Sequence, residues 1–286
     1  MQNWYTLSIA ALLLMGTQRF LYKVAAERKC SNPHTTFFFM ATVAVLSSSM
    51  FLLSGQTVSN PRFLLFIALL NSAAFLAGTL SHIEALKHIP ATVAYPIIRF
   101  NIVIVILFSI IFLHDRPSLY QLAGILAALS VMIILSQDYE LRQQSFQDKR
   151  SGYLLVATCV CSGAIASISC KFAAILTSDL GFMALSYFFS SIGAYILTKR
   201  STPAISPQNK RDAFIIGVFM GFINFAGFYL FLQALSMGPL SIIVSITGMH
   251  FIIAALLSVL VYHEHLTPFR IAALTLTVAS IILLRL

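Results

Sequence analysis

Arg99 is the residue of this sequence best suited to bind an acidic ligand. It stands nine residues after the start and fourteen before the end of an otherwise apolar run, Pro90 to Leu113, that is long enough to cross a bilayer. A positive charge at that depth costs at least about 2.5 to 3.5 kcal/mol, so something must offset it. Either Arg99 faces a wet cavity and binds a carboxylate or phosphate, or it is locked in an ion pair with Glu84 or on backbone carbonyls. We favour the first interpretation because ionisable groups at membrane depth are usually functional.

Two neighbours on the same run would shape a site around this arginine. Tyr95 lies one helical turn earlier on the same face and offers a ring and a hydroxyl beside the charge. Pro96 lacks an amide N–H, which predicts a kink close by. A core or interfacial position explains Tyr95 nearly as well as a substrate contact does, and Pro96 is equally consistent with a hinge and with a static bend.

The stretch that carries Arg99 occurs twice. Adding 149 to the residue numbers lays Leu86–Gln137 on Leu235–Leu286 without a gap. A repeat of this kind indicates that two similar units build the chain. Each unit has a carboxylate just before its last helix, which is the fifth or the tenth expected helix of the chain. We expect these carboxylates to cap the starts of those two helices. The matched pairs are Pro90 with Pro239, His114 with His263, and Asp115 with Glu264.

The two copies differ at the positions that would contact a ligand. The shift aligns Arg99 with Gly248 and Asn101 with His250. Gly248 and Ser245 would leave room for a ligand held by the arginine, although small residues also permit close helix packing. His250 suits a proton relay or a structural hydrogen bond to a neighbouring carbonyl. We take Asn101, Gly248, Ser245 and His250 as candidate substrate-binding residues.

Further polar side chains at mid-depth complete the candidate site. Asn71 and Asn224 lie near the middle of helices 3 and 8, where they would bind substrate or hold helices together. Gln18 and Arg19 are further candidates in helix 1, although Arg19 is close enough to the expected helix end for its charge to reach the interface. Glu84, near the end of helix 3, is the candidate coupling group or ion-pair partner of the central arginine.

Composition places the chain in a membrane. It has 286 residues, of which 59% are hydrophobic and 9% are charged, and several runs reach the roughly 20 residues of a spanning helix. We therefore predict an all-α membrane protein with ten transmembrane helices arranged as two inverted five-helix repeats, because five crossings per repeat reverse the direction of entry. The predicted units are a first repeat at 1–137, a polar linker at 138–152 and a second repeat at 153–286. The expected helices cover about 4–22, 35–53, 62–86, 90–113, a fifth ending near 137, 153–176, 182–197, 213–235, and two starting at 239 and 268.

The charged and sulfur-bearing residues argue against several other functions. The net charge of +9 comes mostly from short connections, which suits membrane topology better than nucleic-acid binding. The four cysteines form no metal-ligand or disulfide pattern, so no metal and no cofactor is expected. No motif of a hydrolase, metalloprotease or nucleotide-binding loop occurs, which predicts that the chain is not an enzyme.

The segments LKHIPATVAYPI and QLAGILAALSVMIIL, in a layout of five helices plus five, resemble the drug/metabolite transporter superfamily. The repeated unit, AL-x3-P, an apolar helix, His with Asp or Glu, and a second apolar helix, is similar to the ten-helix EamA-type members over nearly the whole chain. LKHIP and AYPI are similar to the small multidrug resistance branch over helices 4 and 5 only. The resemblance implies a secondary transporter, and Tyr95 corresponds to the cavity tyrosine of that branch.

The sequence departs from that branch at its central acid. Matching Lys23 to the lysine that closes the first helix there places the proton-coupling glutamate on Met15, and the repeat mate falls on Gly163. Proton-coupled export of lipophilic cations is therefore poorly supported.

The expected function is secondary active transport of a small anionic or zwitterionic metabolite, such as an amino acid. Transport would proceed by alternating access across a bacterial cytoplasmic membrane, by a monomer or a homodimer. The alternatives are a flippase for a phosphorylated lipid carrier and a non-transporting scaffold. Of fourteen basic residues outside the spans, eleven lie opposite the termini, which predicts termini outside the cytosol, whereas the resemblance implies cytosolic termini.

Overall fold

The chain is described here from a computed structural model, which covers residues 3–58, 60–88, 94, 97–137, 149–200, 207–263 and 267–286. Within these residues every regular element is an α-helix, so the all-α prediction is confirmed. The helices are α1 (Asn3–Glu27), α2 (Asn32–Leu53), α3 (Pro61–His88), α4 (Phe100–Phe112), α5 (Leu119–Gln137), α6 (Lys149–Leu176), α7 (Asp179–Arg200), α8 (Pro207–Met237), α9 (Leu240–Gly248), α10 (His250–Tyr262) and α11 (Pro268–Arg285).

The helices are long and apolar enough to cross a membrane. Among the described residues, seven spans satisfy both length and composition, and α9 and α10 together form one of them, Leu240–Tyr262. Two shorter apolar helices cover Phe100–Phe112 and Leu119–Val131. Several helices exceed the expected bounds because polar residues continue them past the hydrocarbon: α8 begins at Pro207 rather than near Ala213, and α6 begins at Lys149, inside the range expected for the linker. The predicted division of the chain at 138–152 stays a prediction, since residues 138–148 lie outside the described residues.

Helices of one half pack mainly against helices of the other half. The principal pairs among the described residues are α1 with α8 and its counterpart α3 with α6, α2 with α7, and α5 with α11. Glycines permit close approach at these contacts. On α8, Gly217 and Gly221 lie one turn apart against α2, where an added Cβ would stand 2.9 Å from the Thr35 carbonyl oxygen and 3.1 Å from that of Phe39, respectively. Small residues four apart are a common means of close helix association in membranes.

This packing predicts that Gly221→Val destabilises the protein. The nearest atoms include backbone of α2, so relief requires a shift of the whole helix, and overpacking of this kind costs about 1 to 3 kcal/mol. Thermal unfolding in detergent measures the effect. Phe219→Val on the same helix is the control, because Phe219 is 57% exposed on the outer surface. Equal melting temperatures for the two variants would contradict the tight α2–α8 contact.

Two helices of the repeat are interrupted at nearly equivalent positions. The ninth expected helix, which begins at Pro239, was expected to be continuous, but the structure divides it into α9 and α10. The break lies at Met249, whose N–H donates to the carbonyl oxygen of Ile246, three residues earlier, at 3.1 Å. The cause is local. The hydroxyls of Ser245 and Thr247 donate to the carbonyls four residues earlier, at 2.7 and 2.8 Å, and Gly248 follows them. Such back-bonding and glycine both weaken a helix.

The corresponding interruption in helix 4 lies at Arg99. The residues on either side, Ile98 and Phe100, are helical, but Arg99 itself forms a turn, and Ile102 N donates to its carbonyl oxygen over three residues (3.0 Å). The predicted kink at Pro96 cannot be compared directly, since Tyr95 and Pro96 lie outside the described residues. Tight three-residue turns in the middle of a helix often mark functional positions.

The turn between α8 and α9 is held by side chains from other helices. The buried ammonium of Lys171 on α6 donates to Leu235 O in the last turn of α8 at 2.5 Å and to Gly238 O just after α8 at 2.8 Å. Asp115 accepts from Ser241 N at 3.1 Å, from Ser241 Oγ at 2.8 Å and from Ser109 Oγ. The expectation that Asp115 caps helix 5 is therefore wrong: it caps α9 of the other half.

Helix α5 has its own cap, which explains why Asp115 is available elsewhere. Ser118 N donates to Gln121 Oε1 at 3.0 Å, and Gln121 N donates to Ser118 Oγ at 3.2 Å. This reciprocal pair is a capping box. At the equivalent helix of the second half, Thr267 Oγ1 accepts from Arg270 N at 3.3 Å, while Glu264 lies outside the described residues.

Candidate functional site

A cavity of about 320 Å³ lies in the middle of the helix bundle. Its wall is built from both halves, with residues of α1 to α4 and of α6 to α10. The volume is near the lower end of the range of about 300 to 1,000 Å³ typical of small-molecule sites. Seven of the predicted substrate-binding residues line it: Gln18, Asn71, Arg99, Asn101, Asn224, Gly248 and His250.

Arg99 enters this cavity from the interruption of helix 4. Its guanidinium carbon lies 3.8 Å from the centre of the Phe251 ring, which belongs to the first turn of α10. Stacking on a ring face orients a guanidinium while leaving its in-plane N–H donors able to bind other groups. The interrupted helices of the two halves thus meet at this contact. There the guanidinium of Arg99 presents its planar set of N–H donors to the cavity.

His250 and Asn101 occupy equivalent positions of the two halves and both face the cavity. His250 Nδ1 lies 2.7 Å from Thr247 O, so this histidine is hydrogen-bonded to a nearby carbonyl, which is one of the two roles expected from the sequence. Asn101 packs against α6 at Gly163, where an added Cβ would lie 2.6 Å from Asn101 Nδ2. Gly163, the position matched to a coupling glutamate in the resemblance, therefore gives Asn101 the space it occupies.

The two candidate asparagines hold helices together. Asn71 Nδ2 donates to Ala166 O at 3.0 Å and to Ser169 Oγ at 2.8 Å, which joins α3 to α6. Asn224 Oδ1 accepts from the hydroxyl of Tyr187 at 2.6 Å, which joins α8 to α7. Both amides line the cavity, but these bonds use part of their capacity for structure.

Arg19 and Tyr187 are cavity residues that sequence reasoning undervalued or missed. Arg19 was expected to reach the interface because the first helix was predicted to end near Tyr22. In the structure α1 continues to Glu27, so Arg19 lies two turns before the end of the helix and lines the cavity. Tyr187 lies near the middle of α7, and its depth alone was the available signal. Its neighbours Phe39 and Phe228 meet it edge to face, with ring centres 6.0 and 5.6 Å away.

The remaining predicted residues lie elsewhere or outside the described residues. Ser245 is buried in α9, where its hydroxyl donates to Ser241 O, and it is not part of the cavity wall that the structure describes. Glu84 does not line the described cavity either; its Oε1 lies 3.8 Å from His88 Nε2, one turn along α3. Tyr95 and Pro96 lie outside the described residues, and their roles stay predictions.

Comparison with known proteins agrees with the repeat. The model of the EamA-like transporter family matches residues 2–137 and again 150–286. A solved structure described as "Crystal structure of protein" superposes with a TM-score of 0.78 at 15% sequence identity, covering 99% of this chain and 98% of its own. At that identity the likeness establishes the shared fold alone. No curated protein sequence matches the chain.

Proposed function

The chain belongs to the EamA-like transporter family and is an integral, multi-pass membrane protein, and from this premise we propose that it transports a small anionic or zwitterionic metabolite, such as an amino acid. The acidic group binds Arg99 in the central cavity. Transport is secondary and proceeds by alternating access, and the membrane is the cytoplasmic membrane of a bacterium.

The position of Arg99 is the observation that carries this proposal. The guanidinium lines a cavity between two inverted halves, at the point where helices of both halves are interrupted. Secondary transporters with inverted repeats bind cargo near the bilayer midplane at broken helices. A planar fork stacked on Phe251 suits a carboxylate, which accepts two parallel hydrogen bonds from arginine.

The size of the cavity supports a small solute over the alternative of a lipid carrier. At about 320 Å³, it has room for a metabolite, and helices of both halves line it. A scaffold would have no need for an arginine at this depth, given the cost of placing one there.

Ligand-dependent thermal stabilisation tests the proposal. Purified protein is heated with pairs of compounds that differ only in the acidic group, for example leucine and leucine amide or succinate and succinamide. Acidic members raise the melting temperature, because a ligand that binds the folded state alone stabilises it by RT ln(1 + L/Kd), where L is the concentration of free ligand. Their neutral partners have little effect. The best ligand is then tested for uptake into proteoliposomes, and equal responses to acids and amides would overturn the assignment of Arg99.

A further inference from the structure

The tautomer of His250 follows from its position at the helix break. The interruption after Gly248 leaves the carbonyl of Thr247 within 2.7 Å of His250 Nδ1. A carbonyl oxygen only accepts, so Nδ1 carries the proton and donates it. In a neutral imidazole the other nitrogen, Nε2, is then a hydrogen-bond acceptor.

The acceptor nitrogen has a counterpart in the other half. His250 Nε2 and Asn101 Oδ1 are both buried, and neither has a hydrogen-bond partner among the described residues. Both side chains line the cavity, and the two residues are repeat mates that follow the interruptions of helices 9 and 4. A buried polar atom without a partner destabilises the folded chain, and native structures nearly always supply one.

Glycines of the opposite half fix both acceptors in place. A Cβ added to Gly16 on α1 would stand 2.8 Å from the carbonyl oxygen of His250 and 2.5 Å from Ile253 Cβ. On α6, Gly163 allows the same close approach to Asn101, whose Cβ would lie 3.3 Å away from the added atom. Close packing against these glycines therefore restrains the backbone of His250 and the side chain of Asn101.

We propose that Asn101 Oδ1 and His250 Nε2 form an acceptor subsite that binds an N–H or O–H group of the cargo while Arg99 binds its carboxylate. The inference rests on the proposed function and narrows its substrate class. The cargo is a carboxylate that also carries an ammonium or hydroxyl group, and a plain mono- or dicarboxylate leaves both acceptors without a donor. A site built to bind a donor group rejects analogues that lack it, because its own buried atoms are then left unpaired.

Matched trios of ligands test the subsite. Each trio shares one carbon skeleton and carries an ammonium, a hydroxyl or no donor beside the carboxylate: alanine, lactate and propionate; leucine, 2-hydroxy-4-methylpentanoate and 4-methylpentanoate; phenylalanine, phenyllactate and 3-phenylpropionate. Dissociation constants are measured with the purified full chain. In at least one trio, a donor-bearing member binds at least about tenfold more tightly than the member without a donor, the effect expected for one satisfied acceptor.

Variants connect that preference to the two residues. In His250→Phe and Asn101→Leu the ratio of the two dissociation constants falls to within about threefold of unity, because the variant no longer penalises the acid that lacks a donor. His250→Gln, which keeps an acceptor oxygen, retains most of the preference. His34→Phe is the matched control, since His34 lies near the start of α2, outside the described cavity wall, and its ratio stays that of the parent. A general structural defect weakens all members alike and leaves the ratio unchanged.

The possible outcomes separate this inference from the proposed function. Equal affinity across every trio, or an unchanged ratio in both acceptor-deleting variants, overturns the subsite but leaves carboxylate binding by Arg99 intact. Failure of every acid to bind overturns the proposed function and the subsite with it. A preference that disappears in His250→Phe and persists in His250→Gln supports the acceptor role of Nε2.

Discussion

Arg99→Ala is expected to lower affinity for the carboxylated cargo by at least about 100-fold and to abolish detectable transport. The physical reason is the loss of two charge-assisted hydrogen bonds, since hydrogen bonds to charged groups are worth about 1.5 to 3 kcal/mol each. Arg99→Lys keeps the charge but loses the planar fork and the stack on Phe251, so an intermediate loss of about tenfold is expected. Ligand titration in detergent and uptake into proteoliposomes measure both effects.

The control for this variant is Arg116→Ala. Arg116 is an exposed arginine in the turn between α4 and α5, and its removal should change neither affinity nor melting temperature appreciably. The rival interpretation is that Arg99 serves stability through an ion pair with Glu84. In that case Arg99→Ala and Glu84→Gln would each destabilise the fold, the double variant would cost no more than either, and affinity per folded molecule would hold. That pattern would remove Arg99 from the cargo site.

Asp115→Ala is expected to reduce stability by about 3 kcal/mol, which lowers the melting temperature by roughly 5 to 10 °C. Asp115 accepts from the amide and hydroxyl of Ser241, and Ser241 is fully buried at the start of α9. Without the carboxylate, that buried donor pair has lost its acceptor, the helix has lost its cap, and the negative charge near the positive end of the helix dipole is gone. Differential scanning fluorimetry of the detergent-solubilised chain measures the change.

Two further variants decide whether the cap is the cause. Asp115→Asn keeps an acceptor oxygen and should cost less than half as much as the alanine variant. Glu27→Ala removes an exposed carboxylate at the end of α1 and should leave the melting temperature within about 1 °C of the parent, as surface substitutions do. If Asp115→Ala behaves like Glu27→Ala, the bonds to Ser241 contribute nothing measurable.

The helices, and several of the polar residues that line the cavity, were predictable because their causes are local in sequence. Apolar length determines which segments cross a membrane, and a charge in the middle of such a segment, as at Arg99, indicates a site. The gapless shift of 149 residues aligned Asn101 with His250 before their shared cavity was known. These signals depend only on residue type and spacing.

The features that escaped prediction depend on partners far away in sequence. Asp115 precedes α5, so capping α5 was the natural expectation, but the donor it serves is 126 residues away on Ser241. Arg19 was misjudged because the end of α1 is determined by packing beyond the apolar run. The break at Met249 has a local cause in Ser245, Thr247 and Gly248, yet back-bonded hydroxyls and glycine also occur in intact helices, so the pattern alone does not predict it.

The interleaving of the halves has a consequence for how this protein is made. In the described part of the first half, residues 3–137, each helix packs mainly against helices of the second half, residues 149–286. A ribosome adds about 5 to 20 residues per second, so the first half waits in the bilayer for roughly 7 to 30 seconds before its partners exist. During that time Asn71 has not met α6, and the glycine-facing surface of α2 has no α8 to cover it. Early helices of this chain therefore depend on the insertion machinery or on lipid to shield them until synthesis ends.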